Sequence, residues 1–468
     1  MSLMFEKQPF AVRGFNLCES ILRHTPEQLR KFIRRMKVLR MNTLIVHSDY
    51  GWNRRKELMI GECRNAGVDI VLMVFGPRTF FSNVPWKTQY FAKDDNGRPF
   101  SLKPECETHP CTFDEEGKEA FYCGAVKWLE ELPEAVKKVH LRAADGNMFC
   151  RCQHCRTLTP WEKWQIFVEL FAQAAEKVRP DLQWETDIYF KRYDLPEDTA
   201  IFDKMHRMMY DTFGRHPSVE LGSRKDEIHL DVMSALTEKK YPGLTPNSYH
   251  LQQLKMWAER FPGKVYIHEN AMMQRQQGIF QYGTSAYLRD LEIFRELGIS
   301  GVCYEAFEPG YCGYEKMFEI LGKALCGEEP EFIPGELDKL LPEKMMEVFC
   351  CDRDFPLEKF VHDPFELALM EHYRLVYWEP GAENCRKFID FAFANPEKCD
   401  MLNIGYGTLR TGMLMGKIKF SGLSESAEDL INRRKLWDFM EEIPPESDPV
   451  DVCRDLIREL AEKAEDIS

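Results

Sequence analysis

The sequence contains no run of about 18 apolar residues, so a membrane-spanning helix of ordinary length is not expected. Its first residues, Met1-Ser2-Leu3-Met4-Phe5-Glu6, lack the cationic patch and apolar core of a secretory leader. The chain therefore reads as cytoplasmic. Excess positive charge is missing too: 62 Lys and Arg stand against 76 Asp and Glu, a formal charge of -14. A phosphate backbone would be repelled on average, so no nucleic-acid partner is expected. The basic stretch Arg30, Lys31, Arg34, Arg35 and Lys37 reads as one solvated helix face. No internal repeat or low-complexity segment is visible. No glycine-rich turn follows the first apolar run, where Gly14 stands alone, which counts against a doubly wound dinucleotide fold.

What is present is length, apolar patterning and thiols. With 468 residues, 44% of them hydrophobic, the chain can bury more than one core. Short apolar runs recur at Phe10–Leu17, Asn42–Val46, Val68–Phe75, Val139–Ala143, Leu182–Ile188, Met205–Tyr210, Val265–Ile267 and Gly301–Tyr304. Val68–Phe75 is almost unbroken, as expected of a strand covered on both faces. Helical patterns fill the gaps. Thr25-Pro26-Glu27-Gln28 looks like a helix start, with Leu29, Phe32, Ile33 and Met36 following at helical spacing. Further helices fit at about 116–132, 161–178, 247–260, 285–297 and 314–326, and Gly67, Gly298 and Gly327 are natural stops. Eight strands alternating with helices predict a (β/α)8 barrel over 1–330. Past Pro334 strand alternation disappears, and 335–468 reads as a helical C-terminal domain. That domain either closes over a pocket or builds an interface between copies, so a homo-oligomer is left open.

Sixteen cysteines in a chain without a leader suggest reduced thiols, some bound to metal. The sharpest group is Cys150-Arg151-Cys152-Gln153-His154-Cys155, directly after the fourth strand. Three thiolates in a short polar loop suit a structural zinc, which needs a fourth ligand. The connection after the third strand offers Cys106, His109 and Cys111. In a barrel these two loops are neighbours on the C-terminal face, so Cys106 can meet the later group. Four protein ligands leave no open position, so this zinc would be structural. The radical-enzyme spacing C-x3-C-x2-C is absent.

A Cys in the third loop, a carboxylate after the fourth strand and then C-x-C-x-x-C resembles the zinc-carrying β-galactosidases of glycoside hydrolase family 42. The pattern is equally similar to bacterial barrels related to hexosaminidases and α-glucuronidases. The resemblance spans about 10–325, and 100–156 carries it most specifically. It implies Cys106, Cys150, Cys152 and Cys155 as zinc ligands. It also implies an acid after strand four and a nucleophile after strand seven, which here are Asp145 and Glu269. Two departures stand out. Family 42 has Asn-Glu where this chain has Ala144-Asp145, and Asp145 is followed by Gly146 where the hexosaminidase relatives have a second carboxylate.

The expected function is hydrolysis of small glycosides by two carboxylates at the C-terminal ends of the strands. Asp49, Asp187, Asp211, Glu305 and Glu308 also fall at strand ends, suiting a pocket for sugar hydroxyls, and Trp52, Tyr189, Tyr210, Tyr304 and Tyr311 could stack on a pyranose face. Arg13 and Arg142, within strands, are expected to form buried ion pairs. Two other classes remain open. One is a barrel that binds carbohydrate without catalysis. The other is a metal-dependent isomerase or a Schiff-base aldolase, for which His47, His268 and Lys191 are the nearest groups, although no H-x-H or H-E-x-x-H spacing supports a catalytic metal.

Overall fold

The computed structural model describes residues 8–17, 21, 26–49, 51–104, 109–145, 148–215, 219–223, 233, 236–269, 284–306 and 315–331. The helical domain expected over 335–468 lies outside them. Eight parallel strands close into one barrel in chain order: β1 (Val12–Leu17), β2 (Thr43–His47), β3 (Asp69–Phe75), β4 (Lys138–Arg142), β5 (Gln183–Ile188), β6 (Arg207–Asp211), β7 (Val265–Glu269) and β8 (Gly301–Ala306). Strand β1 pairs with β8, so among these strands no edge is left open.

Around the barrel lie α1 (Pro26–Val38), α2 (Trp52–Ala66), α3 (Gly76–Ser82), α4 (Glu115–Glu131), α5 (Pro160–Val178), α6 (Ala200–Lys204), α7 (Pro246–Arg260), α8 (Thr284–Glu296) and α9 (Glu315–Leu325). Local chemistry fixes their ends. Helix α5 opens with a capping box in which Thr159 and Glu162 each accept from the other's backbone N–H, and Pro160 follows the cap. Helix α7 repeats the device with Thr245, Ser248 and Pro246. Gly67 ends α2 at φ 71°, a left-handed position that costs glycine little. Helices α3 and α6 have no counterpart in the apolar pattern of the sequence. Each is short, and α3 is buried through Phe80 and Phe81.

The strands divide the apolar residues into two sets. Alternate positions face the helices and join one large core that includes Leu44, Val46, Leu72, Val74, Leu141, Ile188, Tyr210 and Tyr304. The intervening positions make a small separate cluster of Val12, Ile45, Val71, Met73, Met209, Tyr266 and Cys303. That second set is the inside of the barrel. Neighbouring parallel strands keep the same parity, as in Met73↔His140, His140↔Glu185 and His268↔Cys303. One two-residue step toward the C-terminal face therefore brings Asn16, His47, Phe75, Arg142, Asp187, Asp211, His268 and Glu305 to the inner wall. Gly301 serves the closure, because a Cβ there would lie 1.8 Å from the carbonyl oxygen of Val12.

Candidate functional site

The tier below this upper ring is already polar. His140 Nδ1 lies 3.0 Å from Glu185 Oε1, and the Tyr266 hydroxyl donates to that same oxygen. The upper ring, at the C-terminal mouth, holds three hydrogen-bonded groups. In the first, Arg142 donates to Asp145 Oδ1 at 3.4 Å, and its guanidinium lies 4.7 Å from the centre of the Tyr189 ring and 5.5 Å from that of Phe75. The Tyr189 hydroxyl also bonds Asp145. The Asp145 side chain is 41% exposed and that of Arg142 only 7%. Burial works against the charge on Arg142, but Asp145, Asp187, Tyr189 and Asp211 outweigh it and hold the guanidinium protonated.

In the second, Arg192 clasps Asp187 with contacts of 3.2 and 3.4 Å, both side chains being buried. Burial pushes the Asp187 carboxyl up, yet Arg192 and Arg142 together bring it below its ordinary value. The third runs across the mouth. His268 Nδ1 lies 2.9 Å from Asp211 Oδ2, and His268 Nε2 lies 3.0 Å from Asn16 Nδ2. His47 stands near Arg142, His140 and His268. Burial, reinforced by these cationic neighbours, drives its pKa well below the usual value and keeps the ring neutral.

Glu269 occupies the opposite parity. It follows the inward-facing His268 and is in register with Tyr304, which packs against Tyr287 and Phe318 on the helix side. Arg215 donates to Glu269 Oε2 at 3.0 Å and to Asp290 Oδ2, on α8, at 2.6 Å. All three side chains are at most 2% exposed. Burial raises the Glu269 carboxyl from its ordinary 4.5 to about 7, with Arg215 only partly opposing it.

The sequence-predicted residues thus fall into groups. Asp145, Tyr189, Asp187, Asp211 and Glu305 gather at the mouth. Asp49 lies beyond β2 and accepts from the Thr79 hydroxyl at 2.7 Å, and Trp52 is buried at the start of α2. Tyr210 and Tyr304 do not face the mouth: the Tyr210 hydroxyl contacts His250 Nδ1 at 3.0 Å behind the wall, and Tyr304 joins the helix-side core. Strand parity, which the short run Met205–Tyr210 did not reveal, places them there. Glu308 and Tyr311 lie outside the described residues. Arg13 forms no buried ion pair and donates instead to the carbonyls of Arg40 and Phe10. Lys191 is paired with Glu238 at 3.3 Å. Asn16, Arg192, Arg215 and Asp290 were not singled out as site residues. A buried Asn inside a strand was the one local signal among them.

A second centre sits on the rim. The Sγ atoms of Cys111, Cys150, Cys152 and Cys155 all lie within 4.8 Å of one another. Cys111 is 3.9 Å from Cys152 and 3.8 Å from Cys155. Four thiolates at a Zn–S distance of roughly 2.3 Å have S–S edges of about 3.8 Å, so the set fits a tetrahedral zinc. The Lys93 backbone N–H donates to Cys150 Sγ at 3.3 Å, and the Thr112 hydroxyl lies 2.9 Å from Cys155 Sγ. A short ladder places Cys111: Ala92 N–H donates to the His109 carbonyl and Cys111 N–H to that of Tyr90. Cys106 lies outside the described residues, and the described fourth thiol is Cys111. Among those residues no other group of three or more His, Cys or carboxylate side chains is arranged to hold a metal.

No family model matches the sequence, and no curated protein matches it. Solved structures similar to this chain include a β-N-acetylhexosaminidase at 13% identity, covering 74% of this chain and 79% of that one, with a TM-score of 0.40. A GH20 β-N-acetylhexosaminidase from Streptomyces coelicolor A3(2) is 11% identical over 74% of this chain and 70% of that one, with a TM-score of 0.41. A β-galactosidase from Bacillus circulans sp. alkalophilus is 11% identical over 64% of this chain, with a TM-score of 0.43, and the match spans only 50% of its length.

Proposed function

We propose that the chain is a glycoside hydrolase acting on small, soluble carbohydrates at the C-terminal mouth of the barrel. The observation that carries this reading is the setting of Asp145, a half-exposed carboxyl tethered by Arg142 and Tyr189. It stands at the edge of an inner wall of hydrogen-bonding groups suited to sugar hydroxyls. Asp145 is the proton donor to the leaving oxygen. Glu269, placed after β7, is the nucleophile of the reading, and to act it must turn from Arg215 toward the mouth and be ionised. Zinc on Cys111, Cys150, Cys152 and Cys155 would be structural, joining the loops after β3 and β4, and no chemical step passes through it. Work in the cytoplasm belongs to the same reading.

The test is a panel of nitrophenyl glycosides with wild type, Asp145→Asn and Glu269→Gln. Turnover of one sugar that both substitutions abolish, while fold and zinc content persist, supports the reading. Full activity in Asp145→Asn would remove Asp145 from it. The capture of Glu269 by Arg215 favours a second reading, a barrel that binds carbohydrate without cleaving it. In that case calorimetry would detect a sugar that wild type never turns over.

A further inference from the structure

We propose that His268, oriented by Asp211, is the proton acceptor at the mouth and that the chain hydrolyses its glycoside with inversion. This rests on the hydrolase reading above and supplies the base that Glu269, held behind the wall, is not placed to be. Both oxygens of Asp211 are engaged: Oδ2 faces His268 Nδ1 at 2.9 Å, and Oδ1 accepts from the Phe213 backbone N–H at 2.9 Å. A carboxylate so fixed selects the Nδ1–H tautomer of His268, leaving the Nε2 lone pair toward the barrel axis. There the Asn16 amide donates to it at 3.0 Å.

A second observation points to a ligand at this spot. Asn16 has no exposed surface, yet its Oδ1 accepts no hydrogen bond. A buried amide oxygen without a donor costs about 1–3 kcal/mol. A water or sugar hydroxyl placed beside His268 Nε2 would supply that donor. The groups facing His268 are Asp211 on β6, His47 on β2 and Glu305 on β8, the last in register with Asn16. Arg142 on β4 acts on Asp211 from across the barrel. Of these, Asp211 contacts the ring directly and favours its protonated form as the proton arrives.

The step balances. The water oxygen bonds to the anomeric carbon while its proton passes to His268 Nε2. The glycosidic C–O bond breaks, and its electron pair takes the proton of Asp145. Solvent then returns one proton to Asp145 and removes one from His268. Because water attacks opposite the leaving group, the new hydroxyl has the inverted configuration.

The experiment joins kinetics with 15N spectra of the histidine rings in the full-length protein. His268→Gln should lower kcat by about 10²–10⁴-fold with little change in KM and abolish the acid limb of the pH profile. Asp211→Asn, which keeps the contact but lets the tautomer turn, should lower kcat less and move the Nε2 resonance toward the protonated form. Proton NMR of the first product should show the inverted anomer. A retained anomer, or an unchanged acid limb in His268→Gln, overturns the proposal while leaving the hydrolase reading standing. If wild type turns over no glycoside, the hydrolase reading fails by itself. The ring spectrum then decides separately: an Nε2 that carries the proton, or that is unmoved by galactose and N-acetylglucosamine, overturns the role given to His268.

Discussion

Arg215 donates to Glu269 Oε2 at 3.0 Å on the helix side of the barrel wall, with its second arm on Asp290 of α8. The cation stands between two buried carboxyls that would otherwise repel each other. Arg215→Met should therefore cost about 3–5 kcal/mol of unfolding free energy, as removing one partner from a buried ion pair does. Arg215→Met with Glu269→Gln should cost clearly less than the sum of the single substitutions. Denaturant unfolding of the four proteins checks this, and strict additivity would mean the two groups do not interact.

Glu269 also makes stability depend on pH. Its folded pKa, about 7, lies above its ordinary 4.5, so between these values the folded state holds more protons than the unfolded one. Stability from this group is full below about 4.5, falls as pH rises toward 7 and is level beyond, a loss of up to about 3 kcal/mol. His250, lowered by burial from 6.5 to about 4, acts in the other direction, losing stability as pH falls through that window. The difference between wild type and Glu269→Gln isolates the carboxyl. Parallel stability–pH curves for the two would sink the assignment.

Tyr210→Phe should remove the hydroxyl that meets His250 Nδ1 at 3.0 Å and leave that nitrogen buried without a donor. The expected cost is about 1–3 kcal/mol, with turnover unaffected because the contact lies behind the wall. Urea unfolding and a standard activity assay read the two effects separately.

Cysteine substitutions distinguish the ligand sets. Cys111→Ser should reduce bound zinc, measured by atomic emission on dialysed protein, and lower the thermal midpoint. Cys106→Ser should keep its metal. The reverse pattern would return Cys106 to the ligand set and exclude Cys111.

Most of the fold was legible in the sequence because its signals are local. The eight apolar runs fall on the eight strands, and Gly67, Gly298 and Gly327 all take positive φ. The capping box at Thr159 was equally readable there but was not used. The site was legible in part. Positions after strands are fixed by chain order, which put Asp145, Tyr189 and Asp211 at the mouth. Which way a side chain faces depends on register, and shifting parity by one residue moves Tyr210, Glu269 and Tyr304 to the other side of the wall. Asp290 meets Arg215 from 75 positions further along the chain, and no local pattern encodes that pairing. In the thiol group, three ligands came from one hexapeptide. The choice of fourth turned on the pairing of Tyr90 and Ala92 with residues 109–111.

The alternation of the strands has a consequence for change over time. Residues that hold the helices on and residues that would meet a ligand are interleaved one for one, so the two sets can drift almost independently. Asn16, His47, Asp211 and His268 can be exchanged for other polar side chains while Phe15, Val46, Tyr210 and Ile267 go on supporting the shell. A combinatorial library confined to the inner positions of this barrel would sample new specificities on a scaffold whose folding instructions remain intact.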